Sequence, residues 1–158
     1  MANGSLNYTV KGICIGMKVT WNYTPPTNGG DTFTSIKKGS KATLKIVQDE
    51  KNGFVKELYI QKEPDIDNRT FEAQLQKTVE QLQITYPFLS VKNKKNGTYL
   101  IDIPQEKRLG HEEHFSKVAK AFLHYVDNKD MPEWENENTL AKYYITTTAV
   151  EMAKIGNK

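Results

Sequence analysis

A single cysteine, Cys14, occurs in 158 residues, so no internal disulfide is available. The fold must hold by burial alone, and neither redox compartment is excluded. No apolar run approaches the roughly 18 residues that cross a bilayer, and the opening Met1-Ala2-Asn3-Gly4-Ser5 lacks the basic and apolar regions of a secretory leader. A soluble chain with no membrane partner is expected, in the cytoplasm or the periplasm. Charge of one sign is also missing, because 22 basic residues face 19 acidic ones for a net charge of +3, far from the field of a nucleic-acid binder. Lys37, Lys38, Lys41, Lys92, Lys94 and Lys95 gather near two turns, where lysines serve solubility and discourage edge pairing. No nucleic-acid partner is expected.

The motifs of self-sufficient catalysis are absent as well. There is no G-x-S-x-G elbow, and Cys14 sits in a strand pattern rather than at a helix start beside a base. Gly29-Gly30 falls between two strand patterns, and neither G-x-G-x-x-G nor a P-loop occurs. No catalytic residue and no cofactor-binding residue is therefore assigned, and no cofactor is expected in this chain. His111 and His114 stand at i and i+3 within Gly110-His111-Glu112-Glu113-His114, but this is not the H-E-x-x-H spacing and no third ligand accompanies them. Glu112 and Glu113 suit the positive end of a helix dipole, so no metal ligand is assigned. His111 precedes Phe115 by four residues and points toward an apolar stripe, as a buried or substrate-facing histidine would. His124 falls off that stripe and is expected to be exposed.

What is present reads as one domain over 1–158, a normal length for a single core. Ile13, Ile15, Met17, Val19, Trp21 and Tyr23 alternate with other residues, predicting a long strand from Ile13 to Tyr23 with one apolar face. Leu6, Tyr8 and Val10 predict a shorter strand before it, joined through Gly12. Thr24-Pro25-Pro26-Thr27-Asn28-Gly29-Gly30-Asp31 reads as a loop. Strands are expected near Thr32–Lys38, Lys41–Gln48 and Phe54–Gln61, the last after a turn at Asp49–Gly53. Phe71, Leu75, Val79, Leu82 and Tyr86 then form a helical stripe behind an N-cap at Asp67 or Asn68, ending at Pro87. Asn96-Gly97 turns a hairpin of Ser90–Lys94 with Thr98–Ile103.

Two further helices are expected, from about Gly110 to Asp127 with Phe115, Val118, Phe122 and Val126 inward, and from about Glu137 to Ile155. The fold class is α+β: an open, mainly antiparallel sheet of about seven strands, with about three helices packed on one face. The other face needs a partner or solvent.

Trp21-Asn22-Tyr23 leads into the Pro/Gly loop, and aromatic and amide groups at strand ends contact sugars and polyols. Core packing is the first expectation for Trp21. Asn-x-Thr triplets such as Asn7-Tyr8-Thr9 and Asn22-Tyr23-Thr24 are short enough to arise by chance and receive no role.

Val19-Thr20-Trp21-Asn22-Tyr23, Pro26 with Gly29-Gly30-Asp31-Thr32, Ser35-Ile36 and Gly39-Ser40-Lys41-Ala42 follow one another in order. With Gly110-His111-Glu112-Glu113-His114-Phe115 and Leu140-Ala141-Lys142-Tyr143-Tyr144 they span nearly the whole chain. Together they resemble the C-terminal domain of Gfo/Idh/MocA-type oxidoreductases, in the form found in bacterial putative oxidoreductases. The resemblance implies an α+β domain that follows a Rossmann domain binding NAD(P), helps form the pocket for a sugar or cyclitol, and packs against another subunit through its open sheet. Substrate contact is expected of Trp21, Asn22, Tyr23, Asp31, Thr32, His111 and His114.

The E-K-P and G-x-x-x-D-x-x-x-H motifs of full-length members do not occur in this sequence. Lys62-Glu63-Pro64 has the wrong order and follows a strand, so it is not assigned a catalytic role. Phe33 stands where relatives are expected to carry histidine after the Asp-Thr pair. The chain is expected to be an excised domain or a truncated product, inactive alone. The alternative is a stand-alone carbohydrate-binding or dimerisation module.

Overall fold

A computed structural model of the chain describes residues 3–27 and 29–155. Met1 and Ala2 of the leader reading, Asn28 of the predicted loop and residues 156–158 lie outside the described residues. The chain divides into two compact units, Met1–Thr24 with His111–Lys158, and Pro25–Gly110.

The Pro25–Gly110 unit holds strands β3 (Phe33–Lys38), β4 (Ala42–Gln48), β5 (Glu57–Lys62), β6 (Ser90–Asn93) and β7 (Thr98–Asp102), and helix α1 (Asn68–Gln83). The strands form one antiparallel sheet in the order β3-β4-β5-β7-β6. Residues opposite one another in an antiparallel ladder share a face, so the register places Val91, Ile101, Leu58 and Ile46 together, with Asn93, Tyr99, Ile60 and Leu44 two residues along. Helix α1 lies on this face, its Phe71 ring 5.6 Å from that of Tyr99. Lys92, Leu100, Tyr59 and Lys45 line the opposite face. Val79, Tyr99 and Leu100 form the buried apolar core, 3, 4 and 5% exposed.

Local chemistry accounts for the boundaries. Asp67 caps α1, its Oδ1 accepting from the Thr70 backbone N–H and hydroxyl, both at 2.8 Å. These bonds hold the Asp67 carboxyl below its ordinary range. The turn after β4 is a single 3₁₀ turn, Glu50–Asn52, closed by reciprocal bonds between Asp49 and Asn52. It delays β5 to Glu57, three residues beyond the expected start. The β6–β7 turn uses Lys95, Asn96 and Gly97, all at positive φ, with Lys94 N–H donating to Thr98 O at 2.8 Å.

The other unit holds hairpin β1 (Gly4–Val10) and β2 (Ile13–Val19), helix α2 (His111–Asn128) and helix α3 (Glu133–Ile155). Lys11 and Gly12 turn the hairpin at φ 49° and 79°, the left-handed pair of a two-residue connection. The seven strands are thus split between a two-stranded and a five-stranded sheet.

Three expectations need correction. The second strand ends at Val19, not Tyr23, because β1 supplies ladder partners only from Gly4 onward. Trp21 does not pack in a core; it is 75% exposed. Phe115, Val118, Phe122 and Val126 do not point into a core either, being 66, 67, 63 and 55% exposed. Periodicity identifies the apolar side of a helix, but not whether the same chain covers it. No described residue of this unit is buried.

Candidate functional site

Five of the seven residues expected to touch substrate belong to the hairpin–helix unit. Trp21, Asn22 and Tyr23 follow β2 in an exposed bend, where the Trp21 N–H donates to Asn3 Oδ1 at 2.7 Å. His111 and His114 open α2, both exposed. The His111 ring lies 5.4 Å from that of Phe115, so the four-residue spacing does bring it to the apolar stripe. Asp31 and Thr32 belong to the sheet unit and are exposed just before β3.

Among the described residues no group of three or more His, Cys, Asp or Glu side chains is arranged to hold a metal ion. His124 is exposed, as expected, but so are the stripe residues, so its position off the stripe does not set it apart. Its Nε2 lies 3.1 Å from Asp130 Oδ2, and Asn128 Nδ2 donates to Nδ1 at 3.0 Å.

The sheet unit gathers more polar chemistry than the sequence indicated. Glu72, on α1 one residue past Phe71, accepts twice on the same oxygen: Oε1 takes the Tyr99 hydroxyl at 2.8 Å and Asn93 Nδ2 at 3.2 Å. Burial, then the Glu72 bond and charge, push the Tyr99 hydroxyl above its ordinary pKa. These three residues line two adjoining clefts. One continues to Leu75, Gln76 and Val91; the other continues to Lys62, Asn68, Lys95 and Asn96.

Lys62 is 8% exposed. Its ammonium donates to Glu63 O at 2.9 Å, to Pro64 O at 3.4 Å and to Ile66 O. Three backbone carbonyls thus consume its three donors, and no proton-transferring amine is free in the Lys62-Glu63-Pro64 run. On the opposite sheet face the Tyr59 hydroxyl donates to Glu57 Oε2 at 2.5 Å. That bond, with burial and the Glu57 and Asp49 charges, pushes Tyr59 up to about 12.

The Glu72–Tyr99–Asn93 cluster escaped sequence reading. The α1 stripe signalled that Glu72 borders the buried face. Its two donors, however, come from paired strands 21 and 27 residues away, and only the β6–β7 register puts them side by side.

A nicotinamide dinucleotide finds no cradle in the connection from β5 to α1. Residues Glu63–Asp67 contain no glycine, and Asp67 already holds the first-turn N–H with a carboxylate, the wrong charge for a diphosphate.

Residues 1–154 match the family described as the putative oxidoreductase C-terminal domain. The chain is also similar to a crystal structure of a putative oxidoreductase from Parabacteroides merdae, with 39% identity and a TM-score of 0.93. That likeness covers 98% of this chain and 35% of the other, so the chain spans about a third of the protein it resembles. No curated protein matches it.

Proposed function

The chain belongs to the family of putative oxidoreductase C-terminal domains, and from that membership we propose that it is the substrate-side, subunit-contacting part of an NAD(P)-dependent oxidoreductase of the Gfo/Idh/MocA type acting on a sugar or cyclitol. The observation that carries this reading is the 98% coverage of this chain against 35% of a similar putative oxidoreductase. A third of such an enzyme, with no glycine-rich dinucleotide motif in its sequence, serves a reaction whose cofactor a Rossmann domain supplies. When bound there, NAD(P) would supply the partner that exchanges hydride with the substrate. Trp21, Asn22, Tyr23, Asp31, Thr32, His111 and His114 contact the polyol, and the exposure of Trp21 suits that role better than a core role. The apolar stripe of α2 and the sheet face that carries Lys45, Tyr59 and Lys92 beside the buried Leu100 serve contact with the Rossmann domain or a second subunit.

The test compares the 158-residue polypeptide with the same polypeptide joined behind a nucleotide-binding domain of the family. The isolated chain should leave NADH fluorescence unchanged, whereas the joined protein should bind NADH saturably and oxidise a polyol. Saturable binding or polyol turnover by the isolated chain would overturn the assignment.

A further inference from the structure

Among the described residues strand β6 is an outer strand, hydrogen-bonded to β7 and to no other strand. Along an antiparallel pair, residues alternate between those bonded to the partner strand and those whose N–H and C=O point away from it. The Lys94 N–H bonds Thr98 O, and the pairing continues as Lys92↔Leu100 and Ser90↔Asp102. By that alternation Val91 and Asn93 turn their backbone donors and acceptors to the open edge.

The side chains of these two residues also line a cleft of about 290 Å³, completed by Glu72, Leu75 and Gln76 from α1 and by Tyr99 from β7. Leu75 and Val91 make part of the cleft apolar, and Glu72 is its only charged residue. Tyr99 and Asn93 both bond Oε1, which fixes the carboxylate and leaves Oε2 with no hydrogen-bond partner among the described residues.

We propose that an extended peptide carrying a lysine or arginine adds to this sheet along β6, pairing with the Val91 and Asn93 backbone while its basic side chain reaches Glu72 Oε2. Strand addition draws affinity from main-chain bonds and specificity from pockets for alternate side chains. An open edge beside a helix-walled cleft supplies both. Within this cleft the held Glu72 carboxylate is what selects a cation, attracting a basic side chain and repelling an acidic one, against the opposite charge of Lys62 and Lys95 in the adjoining cleft. Leu75 and Val91 accept the aliphatic stem of that side chain.

The test uses the full chain and fluorescence anisotropy of a labelled, acetylated and amidated short peptide of alternating valine and lysine. Saturable binding is expected, lost when glutamate replaces lysine in the probe. Glu72→Gln keeps an oxygen for Tyr99 and Asn93 but removes the charge, and should weaken binding about tenfold, the order of one charge-assisted contact. Val91→Pro removes an outward N–H without removing a β6–β7 bond, and should weaken it by a similar factor. Circular dichroism confirms that each variant is folded. Equal binding of the acidic probe, no binding of the basic one, or indifference to both substitutions overturns the proposal. So does concentration-dependent dimerisation that Val91→Pro abolishes, because β6 would then pair with a second copy.

Discussion

The Tyr99 hydroxyl donates to Glu72 Oε1 at 2.8 Å, tying an inner strand of the sheet to the helix that covers it. The Tyr99 ring is 4% exposed, so the bond anchors a buried group to a carboxylate at the cleft. Tyr99→Phe should keep the ring packing and delete only this bond, lowering unfolding free energy by about 1 kcal/mol once the exposure of Glu72 is discounted. Urea denaturation followed by fluorescence measures it. An unchanged midpoint would show that the bond contributes nothing net.

Tyr59 gives a pH-dependent signature. Its hydroxyl is held up to about 12 by Glu57, above an unfolded value of about 10. A group that keeps its proton longer in the folded state stabilises the fold fully below the unfolded pKa and loses that contribution as pH rises through the folded one. Stability should therefore fall between about pH 10 and 12, less steeply in Tyr59→Phe. Ultraviolet phenolate titration should show an ionisation near pH 12 that disappears in that variant, leaving the raised Tyr99 in place.

The acid side tests the cap of α1. Asp67 is depressed chiefly by the Thr70 backbone bond. Its contribution is present above the unfolded carboxylate pKa and is lost as pH falls through the lower folded value. Asp67→Ala should lower the melting temperature at neutral pH and flatten the acid limb of the pH–stability curve. A parallel displacement of the whole curve would rule out the carboxylate as the source.

Lys62→Met should destabilise the sheet unit by about 2 kcal/mol, because it leaves the carbonyls of Glu63, Pro64 and Ile66 without their donor in a largely buried place. Chemical denaturation monitored at the Tyr99 ring reports it. Little change would mean that water replaces the ammonium.

Trp21→Ala should leave stability within about 0.5 kcal/mol, as befits a side chain 75% exposed. In the joined oxidoreductase it should raise KM for the polyol. A large stability loss would instead reveal a packing role.

Much of the secondary structure was legible because it is local. The Asp67 cap, the Phe71–Leu75–Val79 stripe and the Asn96-Gly97 turn each state their chemistry within a few residues. The hairpin through Gly12 was legible for the same reason, whereas the end of β2 at Val19 depended on how far β1 could pair with it. Of the expected site, the approach of His111 to Phe115 followed from helix spacing alone. Glu72, Asn93 and Tyr99 were individually unremarkable polar residues, and nothing within a short window joins residues 21 and 27 positions apart.

The sequence by itself determined the α+β class, the order of its helices and strands, and the lack of any glycine-rich dinucleotide motif, since these depend on short-range periodicity, capping and turn geometry. Only the tertiary structure decided that seven strands divide into two sheets, that Trp21 and the α2 stripe stand exposed, and that two strand residues fix one carboxylate of α1. Those outcomes depend on strand register and on whether an apolar face finds cover, and both are settled by which distant segments meet rather than by the segments themselves.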